Sequence, residues 1–293
     1  MSDKPTIGYL GVGLMGEPMV NRLLDAGFEV TVWNRTKSKL DKVIAKGAIA
    51  ADTPAELAAR CDYVFMCLMD AASIETVVFG ENGVCRSDNP KILVDFGTIH
   101  PDTCRDFAAR LRAQNGTTWV DAPISGGVAG AADGTLAIMA GGSRADIDTL
   151  RPVIAHLSAR FTHMGENGAG LLTKLCNQII VGSTMAVIAE AVNFATKSGV
   201  DAGALTHALK GGFADSLPFQ LFAPRMVAGD FDNPLGATDT MIKDQLAISD
   251  VAASVGAKIP MTDQALKILK NASDHGDGQR DISSIIKVFD RSE

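Results

Sequence analysis

The sequence predicts an α/β N-terminal domain built on a doubly wound, parallel-type sheet, joined by a long interdomain helix to an all-α C-terminal domain. Three observations point to this architecture. Up to about residue 163, short β-branched or apolar runs alternate with helical patterns, the signature of βα units around a parallel sheet. Beyond the glycines between Gly165 and Gly170 the pattern becomes helical only. One long helical candidate then runs from Ala169 to about Ser198. A chain of 293 residues can bury two cores, and the change of pattern sets the expected domains at 1–163 and 164–293.

The expected strands are Thr6 to Leu10, Val30 to Trp33, Tyr63 to Cys67, Ile92 to Asp95, Thr118 to Asp121, Ala137 to Ala140 and Arg160 to His163, each a short apolar or β-branched run. Helices are expected over Pro18 to Ala26, Lys37 to Lys46 and Pro101 to Asn115. Each is followed by a glycine, Gly27, Gly47 or Gly116, the residue best suited to a left-handed C-terminus. The glycine-rich stretch from Gly126 to Gly142 reads as loops that approach a ligand closely.

Composition narrows the function classes. A net charge of -7 and a pI near 5.3 argue against a nucleic-acid or anionic-membrane surface, while leaving room for a local basic pocket. The five cysteines, Cys61, Cys67, Cys85, Cys104 and Cys176, form no CxxC pair or zinc-like spacing, so no metal site is expected and reduced thiols in a cytoplasmic protein are. The apolar start from Ile7 to Val20 is broken by glycines and charged by Glu17, unlike a secretory signal. Leu175 to Ala189 is shorter than a membrane span and contains Asn177, Gln178 and Ser183, so a buried helix is expected there.

Gly11-Val12-Gly13-Leu14-Met15-Gly16 follows the first strand and opens the first helix. That context marks a Rossmann dinucleotide loop, in which glycines allow close backbone approach and the helix N-terminus faces a pyrophosphate. About 20 residues on, an acid would accept hydrogen bonds from a ribose 2'-hydroxyl. Here Asn34-Arg35-Thr36 stands instead, a cation and a hydroxyl where a 2'-phosphate would sit, so NADP is the expected cofactor and NAD the weaker alternative. Lys37 and Lys39 also fit a solvated basic turn.

Three further segments carry candidate chemistry. Asp121-Ala122-Pro123-Ile124-Ser125-Gly126-Gly127 ends a strand on the ligand side of such a sheet, and the Ser125 hydroxyl with the Gly126 and Gly127 N–H groups suits a substrate carboxylate. It also fits a plain loop. Lys174 sits in an apolar helix, with Asn177 and Gln178 on the same face at spacings of three and four. An ammonium in apolar surroundings gives up its proton more readily than a solvated one, which suits an acid/base, although a snorkelling lysine reads the same way. Asp239 and Lys243, four apart, have the spacing of a helical surface pair.

In their joint order these segments resemble the β-hydroxyacid dehydrogenase family, the group of 3-hydroxyisobutyrate dehydrogenase, tartronate semialdehyde reductase and glyoxylate/succinic semialdehyde reductases. The match spans nearly the whole chain and includes the loop with Met15, Asn34-Arg35-Thr36, Asp95 through Thr98 with Pro101, the Asp121–Gly127 run, Lys174 with Asn177, and Lys243-Asp244. The resemblance implies reduction of small aldehyde or keto acids by NADPH, with Lys174 as acid/base and Asn177 orienting it or the substrate. It implies Ser125, Gly126, Gly127 and Asp239 at the substrate, and Thr98, Leu68, Met69 and Lys243 at the cofactor. It further implies a homodimer or homotetramer.

Four positions depart from the pattern: Leu68-Met69 where Leu-Pro is frequent, Gly97 for a common Ser, Gln178 for a second Asn, and Ala237 where several relatives place a Phe. Imine reductases of the same fold commonly carry Asp or Tyr at the lysine position, so Lys174 favours carbonyl over imine chemistry. A non-catalytic NADP-binding module would be expected to lack that lysine. Decarboxylating phosphogluconate dehydrogenase is disfavoured by chain length.

Overall fold

A computed structural model describes residues 4–89 and 91–290. The chain separates into two compact units, Met1–Lys174 and Leu175–Glu293. The division falls inside a continuous helix, eleven residues beyond the change of pattern at 163/164.

The first unit is an α/β sheet of nine strands: β1 Ile7–Leu10, β2 Val30–Trp33, β3 Ile49–Ala50, β4 Tyr63–Met66, β5 Ile92–Asp95, β6 Thr118–Asp121, β7 Ile124–Ser125, β8 Leu136–Gly141 and β9 Ser158–Gly165. Their order is β3-β2-β1-β4-β5-β6-β8-β7, with β9 paired to β8. Pairing is parallel from β3 through β6 and between β8 and β9. The sheet is nonetheless mixed, because β8 runs antiparallel to β6 and β7. β6 and β7 run in the same direction, and the chain reverses in the ten residues between β7 and β8, fewer than the dozen or more that a parallel crossover needs.

Helices α1 Gly16–Asp25, α2 Asp41–Ala45, α3 Pro54–Arg60, α4 Ala71–Ile74, α5 Pro101–Asn115, α6 Gly127–Asp133 and α7 Arg144–Ile154 connect these strands. The stretch expected as one helix from Lys37 to Lys46 divides into a 3-10 turn over Lys37–Leu40 and the short α2. Gly27, Gly47 and Gly116 all take positive φ, as their places after helices require. Strands buried on both faces read as continuous apolar runs, and alternation sends Ile7 and Tyr9 of β1 into one core cluster and Leu10 into the other.

Helix α8, Ala169–Lys197, crosses the division between the units. By length and composition alone its 29 residues are long and apolar enough to cross a membrane, a test that a core helix also passes. Asn177, Gln178 and Ser183 do not interrupt a helix, and Met185 and Ala189 are fully buried in the second unit's core. That unit also holds α9 Leu205–Ala208, α10 Leu217–Ala228, α11 Thr238–Val255 and α12 Pro260–Ala272, with a 3-10 helix over Ile282–Asp290 whose Ile282 and Ile285 join its core.

Candidate active site

The glycine loop divides its labour among three positions. Gly11 has φ +95°, and a Cβ there would stand 2.5 Å from the Cys67 carbonyl oxygen. A Cβ on Gly16 would stand 2.2 Å from the Gly11 carbonyl oxygen, so the third glycine lets α1 begin against the turn. Gly13 has nothing within 4 Å of its Cβ position. Two glycines therefore build the turn, and the middle one opens backbone to a ligand. No side chain caps α1 at Met15; the Glu17 N–H donates to the Gly13 carbonyl at 2.9 Å, and the positive dipole end of the helix faces outward for a phosphate. Leu14 is exposed and Met15 half-buried at the same turn.

Beyond β2, Asn34 ties this loop to the basic turn. Its Oδ1 accepts the Val12 N–H at 3.1 Å and its Nδ2 donates to the Thr36 carbonyl at 2.9 Å. The side chain that replaces the usual acid thus braces the turn. Lys37 is paired with Asp52 at 3.0 Å and Lys42 with Glu17 at 3.3 Å. Arg35 is exposed and has no hydrogen-bond or ion-pair partner among the described residues.

At the ends of β4 and β5, Leu68 packs beside Gly11, whose Cβ would meet its Cδ2 at 2.8 Å. Met69 is exposed and Thr98 half-buried. Gly97 sits against this segment, since a Cβ there would stand 2.8 Å from the Leu68 carbonyl oxygen. Beneath lies Asp95, 1% exposed, its Oδ1 accepting the Gly97 N–H at 2.9 Å. Burial, reinforced by the neighbouring Asp121 carboxylate, pushes the Asp95 carboxyl up to about 7, against the Gly97 hydrogen bond.

Lys174, half-buried on the second turn of α8, donates from Nζ to the Ile124 carbonyl oxygen at 3.0 Å. Ile124 is the residue before Ser125, so the ammonium is anchored at the segment expected to hold a carboxylate. Ser125 is half-buried, while Gly126 and Gly127 are exposed with φ +132° and +64°. Nothing stands within 4 Å of a Cβ on Gly127, which leaves its surroundings open.

Asp121 received no role from the sequence, yet it holds the start of α8. Its Oδ1 accepts the Gly168 N–H at 2.8 Å and its Oδ2 the Leu171 N–H at 3.0 Å. Gly141 and Gly170 admit it, since a Cβ on either would come within 3.0 Å of its carboxylate oxygens. Burial raises its pKa, and the two backbone N–H groups oppose that rise.

In the second unit Asn177 donates to Gln178 Oε1 at 2.8 Å, and Gln178 Nε2 donates to Asp244 Oδ2 at 2.7 Å. Lys243, exposed, has Nζ 3.8 Å from Asp244 Oδ1. The buried Gln178 and Asp244 thus link two residues read as functional, although neither was singled out as a site residue. The adjacency of Lys243-Asp244 was the available signal. Asp239 has both carboxylate oxygens engaged, by Ser273 Oγ at 2.6 Å and Gln279 Nε2 at 2.8 Å, and so fastens the start of α11 to the segment after α12.

The chain is similar to known proteins over nearly its whole length. Residues 6–165 match the family described as the NAD binding domain of 6-phosphogluconate dehydrogenase. Residues 168–289 match that described as NAD-binding of NADP-dependent 3-hydroxyisobutyrate dehydrogenase. The 2-hydroxy-3-oxopropionate reductase of Escherichia coli is 32% identical over 285 residues, covering 97% of each chain. The L-threonate dehydrogenase of Cupriavidus necator is also 32% identical, over 97% of this chain and 95% of its own. The crystal structure of 3-hydroxyisobutyrate dehydrogenase from Salmonella typhimurium superposes with a TM-score of 0.87 at 28% identity, covering 98% of this chain and all of that one.

Proposed function

The chain belongs to the β-hydroxyacid dehydrogenase family, and from that premise we propose that it is an NADPH-dependent reductase, working reversibly, of small aldehyde or keto acids and the corresponding β-hydroxyacids. The observation that carries the reading is the Lys174 Nζ hydrogen bond to Ile124, which fixes a proton carrier beside Ser125.

The residues of the glycine loop fit a dinucleotide: Gly13 is open, no side chain caps α1, and among the described residues Arg35 has no side-chain partner to compete with a 2'-phosphate. When bound, the nicotinamide supplies hydride to the carbonyl carbon. Lys174 holds a proton on Nζ and passes it to the carbonyl oxygen as charge develops there, and takes it back in the oxidative direction. Ser125 Oγ with the Gly126 and Gly127 N–H groups holds the carboxylate, which sets the orientation of the carbonyl. Asn177 orients Lys174 or the substrate, Leu68, Met69 and Thr98 line the cofactor, and Lys243 adds a positive charge to the site. For Asp239 the engaged carboxylate supports a bracing part over direct substrate contact.

A homodimer or homotetramer is supported by Ile180, Val187 and Phe194, which are exposed at seven-residue spacing along α8. Five free cysteines, three of them buried, fit a cytoplasmic setting.

The test is Lys174→Ala. Loss of a positioned general acid should lower kcat for aldehyde reduction by roughly two to four orders of magnitude. NADPH affinity, measured by fluorescence titration, should change little. Near-wild-type reduction by this variant would overturn the mechanism.

A further inference from the structure

The hydrogen-bonded amides of Asn177 and Gln178 have a direction, and the buried end of their chain sets it. Asp244, 5% exposed, stands between two donors, with Gln178 Nε2 at 2.7 Å from its Oδ2 and Lys243 Nζ at 3.8 Å from its Oδ1. A carboxylate only accepts hydrogen bonds, so Gln178 turns its NH₂ group toward Asp244 and its Oε1 away. That Oε1 accepts from Asn177 Nδ2 at 2.8 Å. The nitrogen of Asn177 therefore faces Gln178, and its Oδ1 accepts nothing among the described residues.

Gln178 is 8% exposed, and its backbone carbonyl accepts Gln245 Nε2 at 2.9 Å. A buried amide linked at both ends turns over only by breaking both hydrogen bonds, one of them to a charged partner. The departure of Gln178 from a second Asn gains a purpose here, since the longer side chain touches both its neighbour on α8 and Asp244 on α11.

We infer that Gln178 is a positioning residue that locks Asn177 as a hydrogen-bond acceptor, so that the group Asn177 serves is a donor. The two sources of such a donor are the Lys174 ammonium, three residues back on the same helix face, and a hydroxyl of the substrate. An outward oxygen does not polarise a carbonyl, which leaves that task to Lys174. The inference rests on the reading of Lys174 and Asn177 as site residues of a dehydrogenase, and the spacing between the two is set by the helix they share.

The experiment reverses the chain and then restores it. In Asp244→Asn the oxygen of the new amide turns to Lys243, which only donates, and its NH₂ turns to Gln178. Gln178 and Asn177 then turn over in sequence, and Asn177 presents its NH₂. In the double variant, Gln178→Glu with Asp244→Asn, a carboxylate at 178 accepts from both neighbours and Asn177 Oδ1 faces outward again. Reduction of 2-hydroxy-3-oxopropanoate and of 3-oxopropanoate by NADPH is measured for each protein, with thermal melts alongside. Asp244→Asn should lower kcat/KM roughly tenfold or more, and the double variant should recover most of the loss. A loss shared by the two aldehydes assigns the donor as Lys174, and a loss confined to the hydroxylated one assigns it as the substrate hydroxyl. Gln178→Met, which removes the link with no change of charge, should also lower kcat/KM, by less, because Asn177 then turns either way; it carries the test if Asp244→Asn does not fold. Unchanged kcat/KM in Asp244→Asn or in Gln178→Met would overturn the inference. A loss that the double variant fails to recover, while it melts as the wild type does, would also overturn it. Failure of the wild type to reduce either aldehyde or any small semialdehyde would instead overturn the underlying reading, and the inference with it.

Discussion

At the scale of single residues, Asp95 couples the site to pH. It ends β5 opposite Asp121 in register, 1% exposed, and holds its proton up to about 7 because burial opposes ionisation. An unfolded chain releases that proton near 3.8. Between those values the native state binds more protons than the unfolded one, so this contribution is present below pH 4 and is lost as pH rises to 7. Asp95→Asn keeps an oxygen for the Gly97 N–H and removes the charge. Thermal melts should show the wild type losing Tm between pH 5 and pH 8, and the variant losing less and being the more stable of the two at pH 8. Parallel Tm profiles would mean that Asp95 ionises as an ordinary carboxyl. The neighbouring Gly97 is explained by the same crowding, since a side chain there would press on the Leu68 backbone and on Asp95 itself.

At the scale of elements, the fold was legible where period and punctuation agree. The core strands β1, β2, β4, β5 and β6 announce themselves as apolar runs, and α5 runs from Pro101 to Asn115 as its proline and following glycine indicate. Strands β3 and β7, two residues each, are too short to carry a period. Helix α3 was passed over although Thr53-Pro54-Ala55-Glu56 spells a capping box: Thr53 Oγ1 accepts the Glu56 N–H, and Glu56 Oε2 accepts the Asp52 N–H. The site shows the same division. Gly11 to Gly16, Arg35 and Lys174 were legible from local pattern, whereas the bond from Asn34 to Val12 and those joining Asp121 to Gly168 and Leu171 depend on contacts 22 to 50 residues apart. Asp121 anchors the turn of α8 that precedes Lys174, while Ile124, three residues later in the chain, anchors the ammonium. Asp121→Asn loses one of two charge-assisted hydrogen bonds but also relieves a buried charge, so stability should change by no more than about 1 kcal/mol. The kcat should fall roughly tenfold, with KM for NADPH within about twofold, because the shifted group is the proposed proton carrier. A kcat that holds while Tm falls would reduce Asp121 to a structural cap.

At the scale of the whole molecule, a net charge of -7 sets a problem for a protein that binds a polyanionic dinucleotide. Salt screens most of that field beyond about 8–10 Å, so recognition falls to charges within the first contact. Near the ribose end, Lys37 and Lys42 are neutralised by Asp52 and Glu17, and Arg35 keeps its charge available. A ligand that binds only the native state stabilises it by about 2.7 kcal/mol at one hundred times its Kd. For a chain of this size that amounts to a rise in Tm of roughly 5–10 °C. NADPH should therefore raise Tm more than NADH at equal concentration, and the excess should shrink with added salt as an interaction with an exposed guanidinium must. Arg35→Ala should remove the excess and leave the NADH shift in place. Equal shifts for both cofactors in the wild type would return Arg35 to a solvated turn and leave the enzyme indifferent to the 2'-phosphate.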